Sequence, residues 1–156
     1  MSSPTRALEA VHLATLTALT GLVALDPTAP FRSAPDYAGW LVGQQRVDRV
    51  MSRVAPPLFL STAATALAAG AVALAQGRPA AGAGRFAAAG CVVAAVAVTL
   101  RVNEPANARL RAWHPADAPP DDWRAVRARW DSAHGVRRGL VAAAAAAAGT
   151  GLLLNR

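Results

Sequence analysis

Four stretches of the chain are apolar on every side rather than along one stripe: residues 7–25, 54–75, 86–102 and 139–154. A bilayer core about 30 Å thick is crossed by roughly 20 helical residues. A helix that is hydrophobic all round faces lipid or is wholly buried. Runs such as FAAAGCVVAAVAVTL and GLVAAAAAAAGTGLLL leave no polar face for a soluble bundle. The pattern therefore predicts an all-α fold, a four-helix transmembrane bundle occupying residues 1–156 as one membrane domain. Arg6 and Glu9, with no clean small-residue cleavage site, make the first stretch a span rather than a signal peptide. The short hairpin QGRPAAGAGR makes spans two and three antiparallel neighbours, and Gly70, Gly90 and Gly149 among the alanines permit close helix approach. Two long loops remain, 26–53 and 103–138. Within the second, HPADAPPDDW is irregular, and DDWRAVRARWDSAHGVRR reads as a helix capped by Asp121 or Asp122. That helix forms an extension running directly into the fourth span.

Charge orients this picture. The chain is 54% hydrophobic and 16% charged, carries a net charge of +7, and has 16 basic residues, all arginine. Its mean hydropathy is +0.28. The positive charge has no basic groove with interleaved aromatics, so nucleic acid is not expected as a partner. The arginines instead flank the apolar runs. Arg32, Arg46, Arg49, Arg53, Arg109, Arg111, Arg124, Arg127, Arg129, Arg137 and Arg138 lie on the face of the two long loops, and Arg101 stands at its edge. Only Arg6, Arg78, Arg85 and Arg156 lie on the face of the termini. The positive-inside rule then predicts an inner-membrane protein with cytoplasmic loops and both termini outside. The single cysteine, Cys91, lies in an apolar run. It excludes an internal disulfide and reads as a small buried residue rather than a nucleophile.

Candidate chemistry gathers at the loop face. VNEPANARLRAW carries Asn103 and Asn107 four residues apart, around Pro105, which frees backbone carbonyls at the helix end. RWDSAHGVRR places Trp130, His134 and Arg137 or Arg138 on one helical stripe, and GQQRVDRVMSRVAPP spaces Gln45, Asp48, Arg49 and Ser52 similarly. Topology brings all three groups to one mouth of the bundle. Polar groups at membrane depth are costly and mark function by default. The bland reading is that the arginines set orientation and the tryptophans anchor the interface. No GxSxG, Walker loop, CxxC or dinucleotide fingerprint is present, so hydrolase, nucleotide-driven and flavin chemistry have no support.

The segments N-x-P-x-N-x-x-L-x-x-W and D-W-x-x-x-R-x-R-W-x-x-x-H-x-x-R resemble those of the anthrone-oxygenase-like family of small four-helix membrane proteins. Here they read Asn103, Pro105, Asn107, Leu110 and Trp113, then Asp122, Trp123, Arg127, Arg129, Trp130, His134 and Arg137. QQRVDRVMSRVAPPLF is similar to the family's stretch before span two, with Asp48 where asparagine is expected. The resemblance implies oxygenation of anthrones to anthraquinones in aromatic polyketide biosynthesis, a secondary-metabolite pathway. Such a reaction requires a general base, a donor or cation for the enolate oxygen, and an apolar pocket. His134 is then the expected base and Arg137 the enolate stabiliser, while Asn103 and Asn107 orient the substrate. Trp113 and Trp130 are expected against its planar rings, and Gln45 and Asp48 at its contacts.

The implied partners are a small hydrophobic aromatic substrate, dioxygen and the lipid bilayer. Small Gly/Ala faces permit a homo-oligomer. No cofactor is required in this reading. Copper or iron remains open, with His134, Asp131, Glu104 and Asp48 as the candidate ligands. Glu9 with His12 forms a second acid-x-x-His pair, but chain parity places it at the opposite end of the bundle from Asp131 and His134. The alternatives are a metal-dependent oxygenase of another substrate and a non-catalytic binding or carrier protein. A carrier needs a polar path through the bundle, and only Thr15, Thr17, Thr20, Ser61, Thr62 and Thr65 offer one.

Overall fold

The computed structural model describes residues 3–153. Among them there is no strand, and the chain runs α1 (Ser3–Leu25), α2 (Ala29–Arg32), α3 (Tyr37–Ala75), α4 (Pro79–Val98), α5 (Glu104–Ala112) and α6 (Trp123–Leu153). A π-helical turn, Thr99–Asn103, joins α4 to α5. The four long helices close in the order α1, α3, α4, α6. The α4–α6 and α3–α4 faces are the most extensive, and α1 meets α6 only thinly. The expected all-α bundle is the observed one. Pro4–Arg32, Tyr37–Ala75 and Pro79–Ala112 are long and apolar enough to cross a membrane. α6 is not among these, because its apolar half is mostly alanine and begins beside Arg137 and Arg138. Leu154 and Arg156, expected at the end of span four and on the terminal face, lie outside the described residues.

The core is thin and built from small side chains. His12, Leu16 and Leu19 form the buried stripe of α1, and Phe59, Thr62, Ala66, Ala69 and Ala73 that of α3. α4 answers with Ala81, Ala88, Ala89, Val92 and Ala95, and α6 with Val141, Ala144 and Ala148. Absent bulky knobs, the helices approach until backbones touch. A Cβ on Gly84 would lie 2.5 Å from the Ala147 carbonyl oxygen and 3.0 Å from the Gly151 Cα. Gly82 is closed in by Leu74 at 2.6 Å, whereas nothing lies within 4 Å of the Cβ positions of Gly90 and Gly149. Gly70 meets Phe86 at 3.3 Å. The close approach expected from Gly90 and Gly149 is thus made by Gly82, Gly84 and Gly151 instead.

Much of what the pattern leaves as loops is helical. α3 starts at Tyr37, where the Asp36 carboxylate accepts from the Gly39 amide at 2.7 Å. At 39 residues it is roughly 58 Å long, about twice what a bilayer core requires. α6 likewise begins at Trp123 and runs unbroken into its apolar half, as expected of the extension. The Asp122 carboxylate accepts from Arg109 at 2.9 Å. The first half of α3, α5 and the first half of α6 therefore stack into a cap at the loop end. Tyr37, Trp40, Leu41, Leu110 and Trp123 form its own buried cluster. At the other end Glu9 pairs with Arg78 at 2.9 Å and Arg85 at 3.0 Å.

Candidate functional site

Three local departures from regular helix shape the space between cap and bundle. The first is the end of α1. Asp26 adopts φ +42, the only positive φ among described non-glycine residues, at a position where helices usually place glycine. Its carboxylate accepts from the Thr28 hydroxyl at 2.6 Å and the Thr28 amide at 3.2 Å, and pairs with Arg32 at 2.6 Å. The segment behind it is pinned. The Phe31 ring fills the space beside Gly43, and Arg127 donates to the carbonyls of Ala34 and Arg32.

The second departure lies in α3, where Pro56 and Pro57 sit inside the helix. Neither has an amide hydrogen, so the carbonyls of Ser52 and Arg53 lose their usual helical donors. The third is the π-helical turn. Pro105 removes the donor that Arg101 would receive and its ring crowds that carbonyl. The chain widens by one residue, and the Glu104 amide donates back to Thr99. This one-residue phase shift turns Thr99, Glu104, Asn107 and Arg111 onto the same wall. Single π turns of this kind recur at functional sites.

The walls enclose a cavity of about 340 Å³ at the loop end, within the range of small-ligand sites. Leu22, Val23, Val47, Met51, Ala55 and Phe59 supply an apolar body, with Val96 and Leu100 opposite. His134, Arg137, Asn107, Trp130 and Asp48 all line it. With Glu104, also on the wall, six of the residues expected at the site are thus brought together, from three separate helical stretches.

Their geometry is specific. His134 Nε2 lies 3.2 Å from Asp26 Oδ1, and Arg137 donates to His134 Nδ1 at 2.7 Å. Guanidinium has no acceptor, so His134 is a neutral imidazole that carries its proton on Nε2 and donates a hydrogen bond from it to Asp26 Oδ1. The Trp130 indole stacks on this ring, with centroids 5.0 Å apart and planes at 16°. Trp130 Nε1 in turn donates to Asn107 Oδ1 at 2.8 Å. With His134 against one face, Trp130 orients the imidazole rather than offering both faces to a ligand. Arg137 also reaches Thr99 Oγ1 at 3.3 Å. Among the described residues it has no ion pair, whereas Asp26 is shared by Arg32 and Arg138.

Other expected contacts fall elsewhere. Asn103 is fully buried, donates to the Trp130 carbonyl at 3.3 Å and does not line the cavity. It ties α5 to α6 from behind. Gln45 donates to the carbonyls of Leu110 at 2.7 Å and Trp113 at 2.9 Å, satisfying the open C-terminal end of α5. Trp113 packs on Tyr37 with centroids 6.1 Å apart, in the cap. The four candidate metal ligands do not converge. Asp48 and Glu104 are both held by Arg111 at 2.7 Å, Asp131 is paired with Arg127 at 3.9 Å, and both His134 nitrogens are engaged. Among the described residues no three His, Cys, Asp or Glu side chains form a group, so these residues do not fit a metal. Asp48, in place of the expected asparagine, is anchored by two Arg111 bonds of 2.7 and 3.1 Å at the mouth.

His134 stands before the apolar half of α6. Burial first, then the Arg137 charge, against the opposing pull of Asp26, holds its pKa down to about 4. The unfolded chain binds a proton near pH 6.5 that the folded protein refuses until about pH 4. This contribution to stability is therefore complete above pH 6.5 and is lost as pH falls towards 4. Thermal unfolding in detergent should show a loss of roughly 3 kcal/mol across that window. His134→Gln should flatten the dependence. A variant that keeps the wild-type slope would place the titrating group elsewhere.

Residues 47–147 match the family model described as anthrone oxygenase. No curated protein and no solved structure matched the chain. The matched segment contains Asp48, Asn107, Trp130, His134 and Arg137. Gln44, on the cavity wall, and Asp26, which holds His134 from behind, precede it.

Proposed function

The chain belongs to the anthrone oxygenase family, and on that footing we propose that its cavity binds a hydrophobic, anthrone-like aromatic and oxidises it with dioxygen. The observation that carries this reading is Arg137, a cation that forms no direct ion pair among the described residues and stands on the wall of a largely apolar cavity. Leaving a buried charge unpaired costs several kcal/mol. A substrate oxygen that becomes negative in the reaction supplies the missing partner.

The residues suggest the following order of events. The substrate's carbonyl oxygen accepts a hydrogen bond from the Arg137 guanidinium, which stays cationic and swings off His134 Nδ1, freeing that nitrogen as an acceptor. Nδ1 removes a proton from the acidic methylene, and the electron pair moves to the oxygen as an enolate. That negative charge cancels the Arg137 charge which depresses His134, so the base strengthens as it is used. Asp26 accepts the hydrogen bond from Nε2–H throughout and, as a carboxylate, stabilises the imidazolium. The enolate carbon delivers electrons to dioxygen and forms a C–O bond, and the proton returned by His134 gives a hydroperoxide. Loss of the remaining C–H proton with cleavage of the O–O bond leaves a carbonyl and one water. One oxygen atom enters the product, one enters water, and the methylene supplies all four electrons.

The arginine-rich loop end supports, by the positive-inside rule, a cavity mouth that faces the cytoplasm. The test is dioxygen uptake by the detergent-purified protein with anthrone, with metal content measured on the same sample. The expected result is one dioxygen consumed per quinone formed, lost in His134→Ala. A folded sample that binds anthrone without uptake would make the protein a binding protein. Activity that tracks stoichiometric iron or copper would replace the base mechanism with a metal one.

A further inference from the structure

Gln44 is 4% exposed, lies on the α3 wall of the cavity, and its Nε2 has no hydrogen-bond partner. It belongs to the stripe Gln44, Val47, Asp48, Met51, Ala55 and Phe59, which is the cavity side of α3. A buried amide donor left unmet costs free energy that an apolar side chain of the same size would not. The neighbouring Gln45 shows the contrast, since its Nε2 meets two carbonyls.

Position sets what Gln44 can meet. Gln44 comes from α3 and Arg137 from α6, and both line the same cavity. The rest of the cavity surface is mainly aliphatic carbon with Phe59. A ligand reaching both must be an extended apolar body with oxygen at two separated places. One oxygen becomes anionic, at Arg137. The other is a neutral acceptor, at Gln44.

We infer that Gln44 is a specificity-determining residue that donates to a second oxygen of the substrate, which is therefore a polycyclic aromatic oxygenated at two separated ring positions. This rests on the aromatic-oxygenase reading above and narrows it. Sites built to hydrogen-bond a substrate group discriminate strongly against analogues that lack it, because a buried partner is then left unpaired.

The test compares anthrone, with its single oxygen, with its monohydroxy ring isomers, by quenching of tryptophan fluorescence in the detergent-solubilised protein. At least one isomer should bind wild type about tenfold more tightly than anthrone does, a difference of about 1.4 kcal/mol. In Gln44→Met that advantage should vanish while anthrone's own affinity stays within about twofold. The ligand-free variant should melt no lower than wild type, since an unmet donor has been removed. Gln44→Leu repeats the comparison with a different shape. If no isomer has an advantage, or if the advantage survives both substitutions, the assignment is overturned while the oxygenase reading stands on anthrone turnover. If wild type binds none of these rings, both fall together.

Discussion

Replacing Arg137 with leucine is expected to lower turnover of an anthrone-type substrate by about 10²–10³-fold, the usual cost of losing one donor aimed at developing charge. The reason lies in what Arg137 touches. Its two partners, Thr99 Oγ1 and His134 Nδ1, are neutral, and it takes part in no ion pair among the described residues. Every carboxylate near the site is already committed, Asp26 to Arg32 and Arg138, and Asp48 and Glu104 to Arg111. The guanidinium thus keeps its field for a ligand. An interaction made more strongly with the enolate than with the ketone acts on kcat more than on KM. Arg137→Lys retains the charge but not the fork that reaches Thr99, His134 and a substrate oxygen together, so it should fall between wild type and leucine. Stability should move the other way, because leucine removes a half-buried charge that has no direct ion pair among the described residues. If Arg137→Leu turned over normally, the arginine would be only an orientation signal at the membrane edge.

How much of this was legible in the sequence depended on how local the cause was. The bundle follows from apolar runs that lack a polar face, and the run from Trp123 into span four follows from continuous helical patterning. His134 and Arg137 fall together because three residues on a helix make one face. The π-helical turn was half visible. Pro105 announces a lost hydrogen bond, but whether the chain breaks, kinks or widens depends on packing against α6. That single-residue widening exposes Asn107 to the cavity while Asn103, four residues earlier, is buried behind Trp130.

The stripe on α3 was misread by one residue, Gln45 for Gln44. Both are glutamines, and Asp48 lies at helical spacing from either, so polar spacing alone left the phase of the stripe open. Counting back from Met51 and Asp48 would have found Gln44. Trp113 was expected at the site from the N-x-P-x-N-x-x-L-x-x-W segment, yet α5 ends at Ala112 and the chain turns Trp113 into the cap. Asp26 left the least signal. It is a lone acid after an apolar run, and its meaning comes from His134, 108 residues away.

Asp26 carries the second large effect, and two substitutions separate its backbone role from its chemical one. A non-glycine residue in the left-handed region is strained by roughly 1–2 kcal/mol, and Asp26 sits there at φ +42. Asp26→Gly relieves that strain but leaves the His134 Nε2 proton, Arg32 and Arg138 without their acceptor. Backbone relief and lost pairing oppose one another, so the melting temperature should change little. Turnover should nonetheless drop by about 10²-fold or more, because nothing then fixes which His134 nitrogen carries the proton or stabilises the imidazolium. Asp26→Asn tolerates the same backbone but turns an amide towards a ring of donors formed by Thr28, Arg32, Arg138 and His134. It should therefore be less stable than the glycine variant and no more active. The pH profile completes the argument. Losing the carboxylate removes the one nearby charge that raises the His134 pKa, so the residual activity should extend to lower pH than wild type. Variants that lose stability and activity in equal measure, with an unshifted acid limb, would reduce Asp26 to a helix terminator.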